Sequence, residues 1–206
     1  MSFLRLYHDE AIKVFYEKGG DEKDLYWLVS SILIRYPEHR DELKVRKRLM
    51  DLIVQEVGGK VLDVGCGIGI LTFRMALKDE VKKAVGIDKF DELIKFCNRL
   101  RDKITKKAEF LHGDFLEAKF EEKFDCVVFL YTLHDYDPEP FLEKALKILR
   151  YEGRIIIGDF DIKGLRKKVK ALAQENGLKI VKDITVGRAK THGDIYEAFL
   201  MTIEGD

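Results

Sequence analysis

The chain has 206 residues, 46% of them hydrophobic, enough for one α/β domain with an appendage and too apolar for global disorder. Lys plus Arg and Asp plus Glu both number 37, and the net charge of +0 argues against a mainly electrostatic binder of nucleic acid or membranes. No apolar run approaches the roughly 20 residues of a membrane span.

The start of the chain carries acids and no apolar block, so no signal peptide is expected. Cys66, Cys97 and Cys126 fit neither a disulfide framework nor a zinc ribbon, and a reducing cytoplasm is the expected compartment. Charged residues reach 36% while amide side chains are scarce (Asn98, Asn176, Gln55, Gln174), a composition that leans towards a thermophilic source.

Residues 1–57 read as helical. In 7–18, Ala11, Ile12, Val14 and Phe15 form a stripe that Gly19 and Gly20 end. The next segment, 25–34, is apolar nearly all round and should be buried between the first helix and the main body. Pro37 marks the start of a third helix that runs to about Val57, with Leu43, Leu49, Leu52, Ile53 and Val57 towards the body.

An apolar β-type run then breaks into Asp63-x-Gly65-x-Gly67-x-Gly69 and passes into a helical pattern over 71–78. A strand that runs through a glycine loop into a helix brings backbone N–H groups up to a ligand. Asp63 sits at the carboxyl end of that strand, where α/β sheets bind ligands. A carboxylate there repels a pyrophosphate but suits a ligand with an ammonium group and a sulfonium. At these residues the chain resembles the class I S-adenosylmethionine-dependent methyltransferases, whose first motif has this form.

Strands and helices alternate onward. Strands are expected at 82–87, 109–112, 124–131 and 153–158, with helices at 91–102, 137–150 and 164–176. The fourth strand is almost wholly apolar and so buried on both faces. The final strands, 178–186 and 195–203, have no helix between them and should pair antiparallel at one edge. The fold class is α/β: a doubly wound, seven-stranded, mostly parallel sheet with an antiparallel edge strand, plus an N-terminal helical segment. The methyltransferase family has this plan. The division expected is a helical lid segment over 1–57 and an S-adenosylmethionine-binding Rossmann-like domain over 58–206.

Asp88 ends the second strand, where a carboxylate can accept from two ribose hydroxyls or cap the next helix. Phe90 either lies against an adenine face or packs under that helix, and Lys89 stands between the two. After the third strand come His112, Gly113, Asp114 and Phe115. The resemblance implies that Asp114 accepts from the adenine amine and that the Phe115 N–H meets the ring. It implies too that Gly65, Cys66, Gly67 and Gly69 cradle the cofactor and that Leu130 flanks its methionine part.

The loop after the fourth strand should cross the mouth of the site. His134 is the candidate general base, or else a ring that only bonds the loop; Tyr131, Asp135, Tyr136 and Asp159 are candidates to meet the acceptor. No Asn-Pro-Pro-Tyr tetrapeptide occurs there, which disfavours methylation of adenine or glutamine amino groups. Cys66 suits a tight turn as a small residue, with no His partner to make it a nucleophile. His112 and His192 lack metal-ligand spacing, so no metal is expected. Lys163 to Lys170 reads as a solvated helix face, with an RNA patch as the rival. The expected function is methyl transfer from S-adenosyl-L-methionine to a small molecule, enclosed by the N-terminal segment with Tyr7, Phe15, Tyr26 and Trp27. The alternatives are an RNA or protein methyltransferase, using basic runs near Arg46 and Lys167, and a non-catalytic nucleoside-binding subunit.

Overall fold

Side chains alternate across a strand, and in β4 (Phe124–Leu130) both sets are apolar beyond Asp125. Cys126 and Val128 enter the core on one face, Val127 and Phe129 on the other, and all four are buried. Such a strand is stable only with helices on both sides. The computed structural model describes residues 39–205 and provides those two layers. The expected helices at 7–18 and 25–34, with Tyr7, Phe15, Tyr26 and Trp27, lie outside the described residues.

One layer holds α1 (Arg40–Glu56), α2 (Ile70–Ala76) and α3 (Asp91–Ile104), and the other α4 (Pro138–Ile148) and α5 (Leu165–Glu175). The remaining strands are β1 (Gly59–Val64), β2 (Val81–Asp88), β3 (Ala108–His112), β5 (Leu149–Phe160), β6 (Lys179–Thr191) and β7 (Asp194–Glu204). The seven strands lie in the order β3-β2-β1-β4-β5-β7-β6. Pairs from β3 through β5 are parallel, and β7 is antiparallel to both neighbours. The chain leaves β1 first towards β2 and β3, then returns to place β4 on its other side. That reversal opens a crevice at the carboxyl ends of β1 and β4. No described helix is long and apolar enough to cross a membrane.

Helix α1 belongs to this core. Leu43, Leu49 and Ile53 are at most 1% exposed, and burial of each such side chain contributes about 1.5–3 kcal/mol. Asp137 starts α4 as its cap, accepting from Glu139 N–H with Pro138 in the first turn.

Two strands outrun their expected bounds. β5 begins at Leu149 because that residue pairs with Phe124, shortening the preceding helix, and it reaches Phe160 opposite Ala198. β6 continues through Gly187 to Thr191. Gly187 breaks the pattern because Val45 of α1 lies over it: a Cβ there would sit 2.9 Å from Val45 Cγ2. The β6–β7 turn is His192-Gly193, both at positive φ as a two-residue hairpin loop requires.

Candidate active site

The glycine loop is anchored by its own backbone. Gly65 and Cys66 N–H both donate to Ile87 C=O, at 2.9 and 3.1 Å. Gly67 N–H donates to Asp88 Oδ2 at 2.9 Å, and Gly69 N–H to Cys66 C=O at 2.9 Å. Gly65 and Gly69 have φ of +73° and +77°, and a Cβ would fall 2.7 Å from Thr132 Oγ1 or 2.8 Å from the Phe110 ring. The loop therefore passes where only glycine fits and enters α2 directly.

Asp63 lies beneath it, 2% exposed, with Oδ2 accepting from Thr72 Oγ1 at 2.6 Å. Burial pushes its carboxyl up to about 7; the Thr72 hydrogen bond opposes this and the Asp88 charge adds to it. Asp88 accepts from Gly67 N–H and, through Oδ1, from Phe90 N–H at 3.0 Å. Each oxygen keeps a lone pair for a ligand. Cys66 is buried, and burial first, then Cys97 and the two acids, push its thiol well up, the opposite of an activated nucleophile.

These groups line a cleft of about 830 Å³ at the carboxyl ends of the strands. Asp63, Gly65, Cys66, Gly67, Asp88, Lys89, Phe90, Asp114, Phe115, Leu130, Tyr131, Asp135 and Tyr136 all border it. Gly69 shapes the loop from behind. Phe90 is half exposed, and Lys89 Nζ donates to Tyr136 Oη at 2.7 Å, joining the β2 and β4 loops across the mouth. That hydrogen bond is the main cause of an upward shift of the Lys89 ammonium. Phe115 is buried among Phe129 and Phe141.

The cleft does not gather every expected residue. Asp159 lies inside β5, fully buried, and its carboxylate accepts from Leu133 N–H (3.0 Å), His134 N–H (3.3 Å), Phe160 N–H (2.8 Å) and His134 Nδ1 (2.7 Å). It thus fixes the start of the loop after β4. His134 is 4% exposed and borders a side groove against α4 and α5 instead of the main cleft. Burial lowers its imidazole, but the hydrogen bond and charge of Asp159 outweigh this and the net shift is upward.

Thr132, Arg46 and Met50 are among the cleft residues that were not singled out as site residues from the sequence. Thr132 Oγ1 donates to Val64 C=O at 2.9 Å and so ties the β4 loop to the end of β1. Arg46 and Met50 of α1 close one wall. The Arg46 guanidinium bonds Glu42 Oε1 at 2.7 and 2.9 Å and stacks 3.9 Å from the Tyr131 ring centroid. At 7% exposure Arg46 is no part of a surface basic patch, which corrects its place in the RNA reading. The signal was available: Glu42 and Arg46 stand four apart on an otherwise apolar helix face.

A profile of the family described as "Methyltransferase domain" matches residues 55–199. This chain belongs to that methyltransferase family. It is an enzyme of class I fold, and the donor set fits S-adenosylmethionine: buried carboxylate, glycine cradle, and two further acids at strand ends. The methyltransferase is 32% identical over 127 residues to the protein-lysine N-methyltransferase of Saccharolobus islandicus, covering 61% of this chain and 77% of the relative. To the demethylmenaquinone methyltransferase of Bacillus cereus it is 28% identical over 152 residues, 72% of this chain but only 61% of that relative's length. Among solved structures, the N-methyltransferase NodS of Bradyrhizobium japonicum in complex with S-adenosyl-L-homocysteine superposes with a TM-score of 0.66 over 83% of this chain and 90% of that one, at 17% identity. At that identity the likeness speaks for the fold alone.

Proposed function

We propose that the methyltransferase acts on a small-molecule acceptor held in the same cleft as the cofactor. The observation that carries this reading is the wall that Arg46, Met50, Leu130 and Tyr131 form against the cleft, which leaves a concave space of small-molecule size. When bound, S-adenosylmethionine supplies an electrophilic methyl group on a sulfonium. Ionised Asp63 would offset the positive amino end of the ligand, and the free lone pairs of Asp88 would accept from its ribose hydroxyls. Asp114 and the Phe115 N–H would receive the adenine edge, while Leu130 packs the methionine part.

Methyl transfer needs an acceptor lone pair in line with the breaking bond, so the chain's main contribution is alignment. Tyr131, Asp135 and Tyr136 border the space where an acceptor would lie. A general base at His134 reaches only an acceptor entering through the side groove; Asp135 faces the cleft itself. A lid role for the N-terminal segment, with Tyr26 and Trp27 meeting the acceptor, is proposed from the sequence pattern alone, and those two residues lie outside the described residues.

Methyl transfer from labelled cofactor to a panel of phenols, quinols and small amines, beside lysine-bearing proteins and RNA, tests the reading. Turnover confined to the small molecules supports it. Turnover confined to protein lysines or RNA overturns it.

A further inference from the structure

His134 is held in a way that the methyl-transfer site does not use. The Asp159 carboxylate accepts from Nδ1 at 2.7 Å, which places a hydrogen there and, in the neutral ring, leaves Nε2 with its lone pair. Nε2 is buried and has no hydrogen-bond partner among the described residues. An acceptor atom left so in the interior costs about 1–3 kcal/mol. It faces Asp135 Oδ2 at 3.7 Å, and the His192 ring lies edge-on with centroids 5.0 Å apart.

We propose that His134, Asp135 and His192 form a binding site for a divalent transition-metal ion of the zinc, cobalt or nickel kind. One ligand atom from each residue lies within 4.8 Å of the others. An ion about 2.1 Å from each ligand separates them by about 3.4–3.6 Å, so the His134–Asp135 pair already stands at the required spacing and the third ligand must close by about 1 Å. The two movable partners have room for this: the Asp135 side chain is 61% exposed, and His192 is exposed at the tip of the β6–β7 turn.

Two imidazoles and one carboxylate match such ions, where a site for magnesium or calcium would be built of oxygens alone. Metal-binding histidines commonly give their other N–H to a carboxylate, as His134 does to Asp159. Asp135 and Asp159 together offset the two positive charges of the ion. The nearby Arg46 cation is neutralised by Glu42. Sequence spacing concealed the site, because His192 reaches His134 only through the insertion of β7 between β5 and β6.

The test is titration of Co²⁺ and of Zn²⁺ into the untagged 206-residue chain, read by visible absorption and by calorimetry, with no dependence on methyl transfer. The expected result is one ion per chain with ligand-field bands of a nitrogen and oxygen site. His192→Ala, at an exposed turn, should fold normally and lose affinity at least tenfold. Asp159→Asn should weaken binding by about 10–100-fold while leaving the ligands in place. His134→Gln serves where His134→Ala fails to fold. The proposal is overturned by no binding at millimolar ion, by binding that His192→Ala leaves unchanged, or by an intense sulfur-to-cobalt band that assigns the ion to the cysteines.

Discussion

The buried carboxyl of Asp63 imposes a pH dependence on cofactor affinity. Burial holds it at about 7 against an ordinary 3.8, while a ligand with an ammonium group favours the carboxylate. Below about pH 7, binding must expel a proton, at about 1.4 kcal/mol per pH unit. Affinity for S-adenosylhomocysteine, which keeps the ammonium group, should lie about tenfold below its plateau at pH 6 and about a hundredfold below at pH 5. Above about pH 8 it should be flat. Calorimetry in two buffers of different ionisation enthalpy reads both the affinity and the proton released. Asp63→Asn should abolish the slope and bind about 10–100-fold more weakly than the plateau, on the scale of one charge-assisted hydrogen bond.

The same carboxyl acts on stability with a definite sign. Its folded-state value is raised, so its contribution is fully present below about pH 4 and is lost as pH rises through about 7. The span of about three pH units corresponds to an upper limit of about 4 kcal/mol. Without ligand, Asp63→Asn should therefore melt above the parent at pH 8 and level with it at pH 4. Parent affinity that stays flat from pH 5 to 8, or an Asn variant with the same slope, would refute the reasoning.

Asp88→Ala removes the acceptor of two loop N–H groups and of the proposed ribose contacts; cofactor binding measured by calorimetry should weaken by roughly 1.5–3 kcal/mol with the fold retained. Ile53 is fully buried and its Cδ1 lies against Gly158, so Ile53→Ala should cost about 2–5 kcal/mol in denaturant unfolding; a cost below about 1 kcal/mol would mean that α1 is not part of the core. Deletion of residues 1–38, which stops short of α1, should leave cofactor binding measurable and lower acceptor turnover. Full activity of the shortened chain would refute the role proposed for that segment.

Much of the fold was legible because its signals are local. Asp63 followed by alternating glycines, then an apolar helical stripe, needs only neighbouring residues to specify strand, loop and helix. Asp88 and Asp114 were legible as residues that border the cleft because parallel strands deliver their carboxyl ends to one edge of the sheet, whatever the packing details. Element ends were less legible where they depend on distant residues: the expected strand stopped short of Gly187 because no neighbouring residue reveals that Val45 would lie over it.

What only the tertiary structure decided were contacts between distant parts of the chain. Thr191 Oγ1 donates to Glu42 Oε1 across 149 positions, and Asp159 meets His134 across 25. Asp159 read as an acceptor residue because it stands near a strand end, but four converging hydrogen bonds bury it inside β5 as the anchor of the neighbouring loop. Arg46 read as surface charge because a cation is costly to bury alone; only the packing of α1 on the sheet brings it against Glu42 and the Tyr131 ring. Periodicity records which face of an element is apolar. Which polar groups meet once those faces are buried depends on strand order, and here the insertion of β7 beside β5 carries the His192 turn to His134.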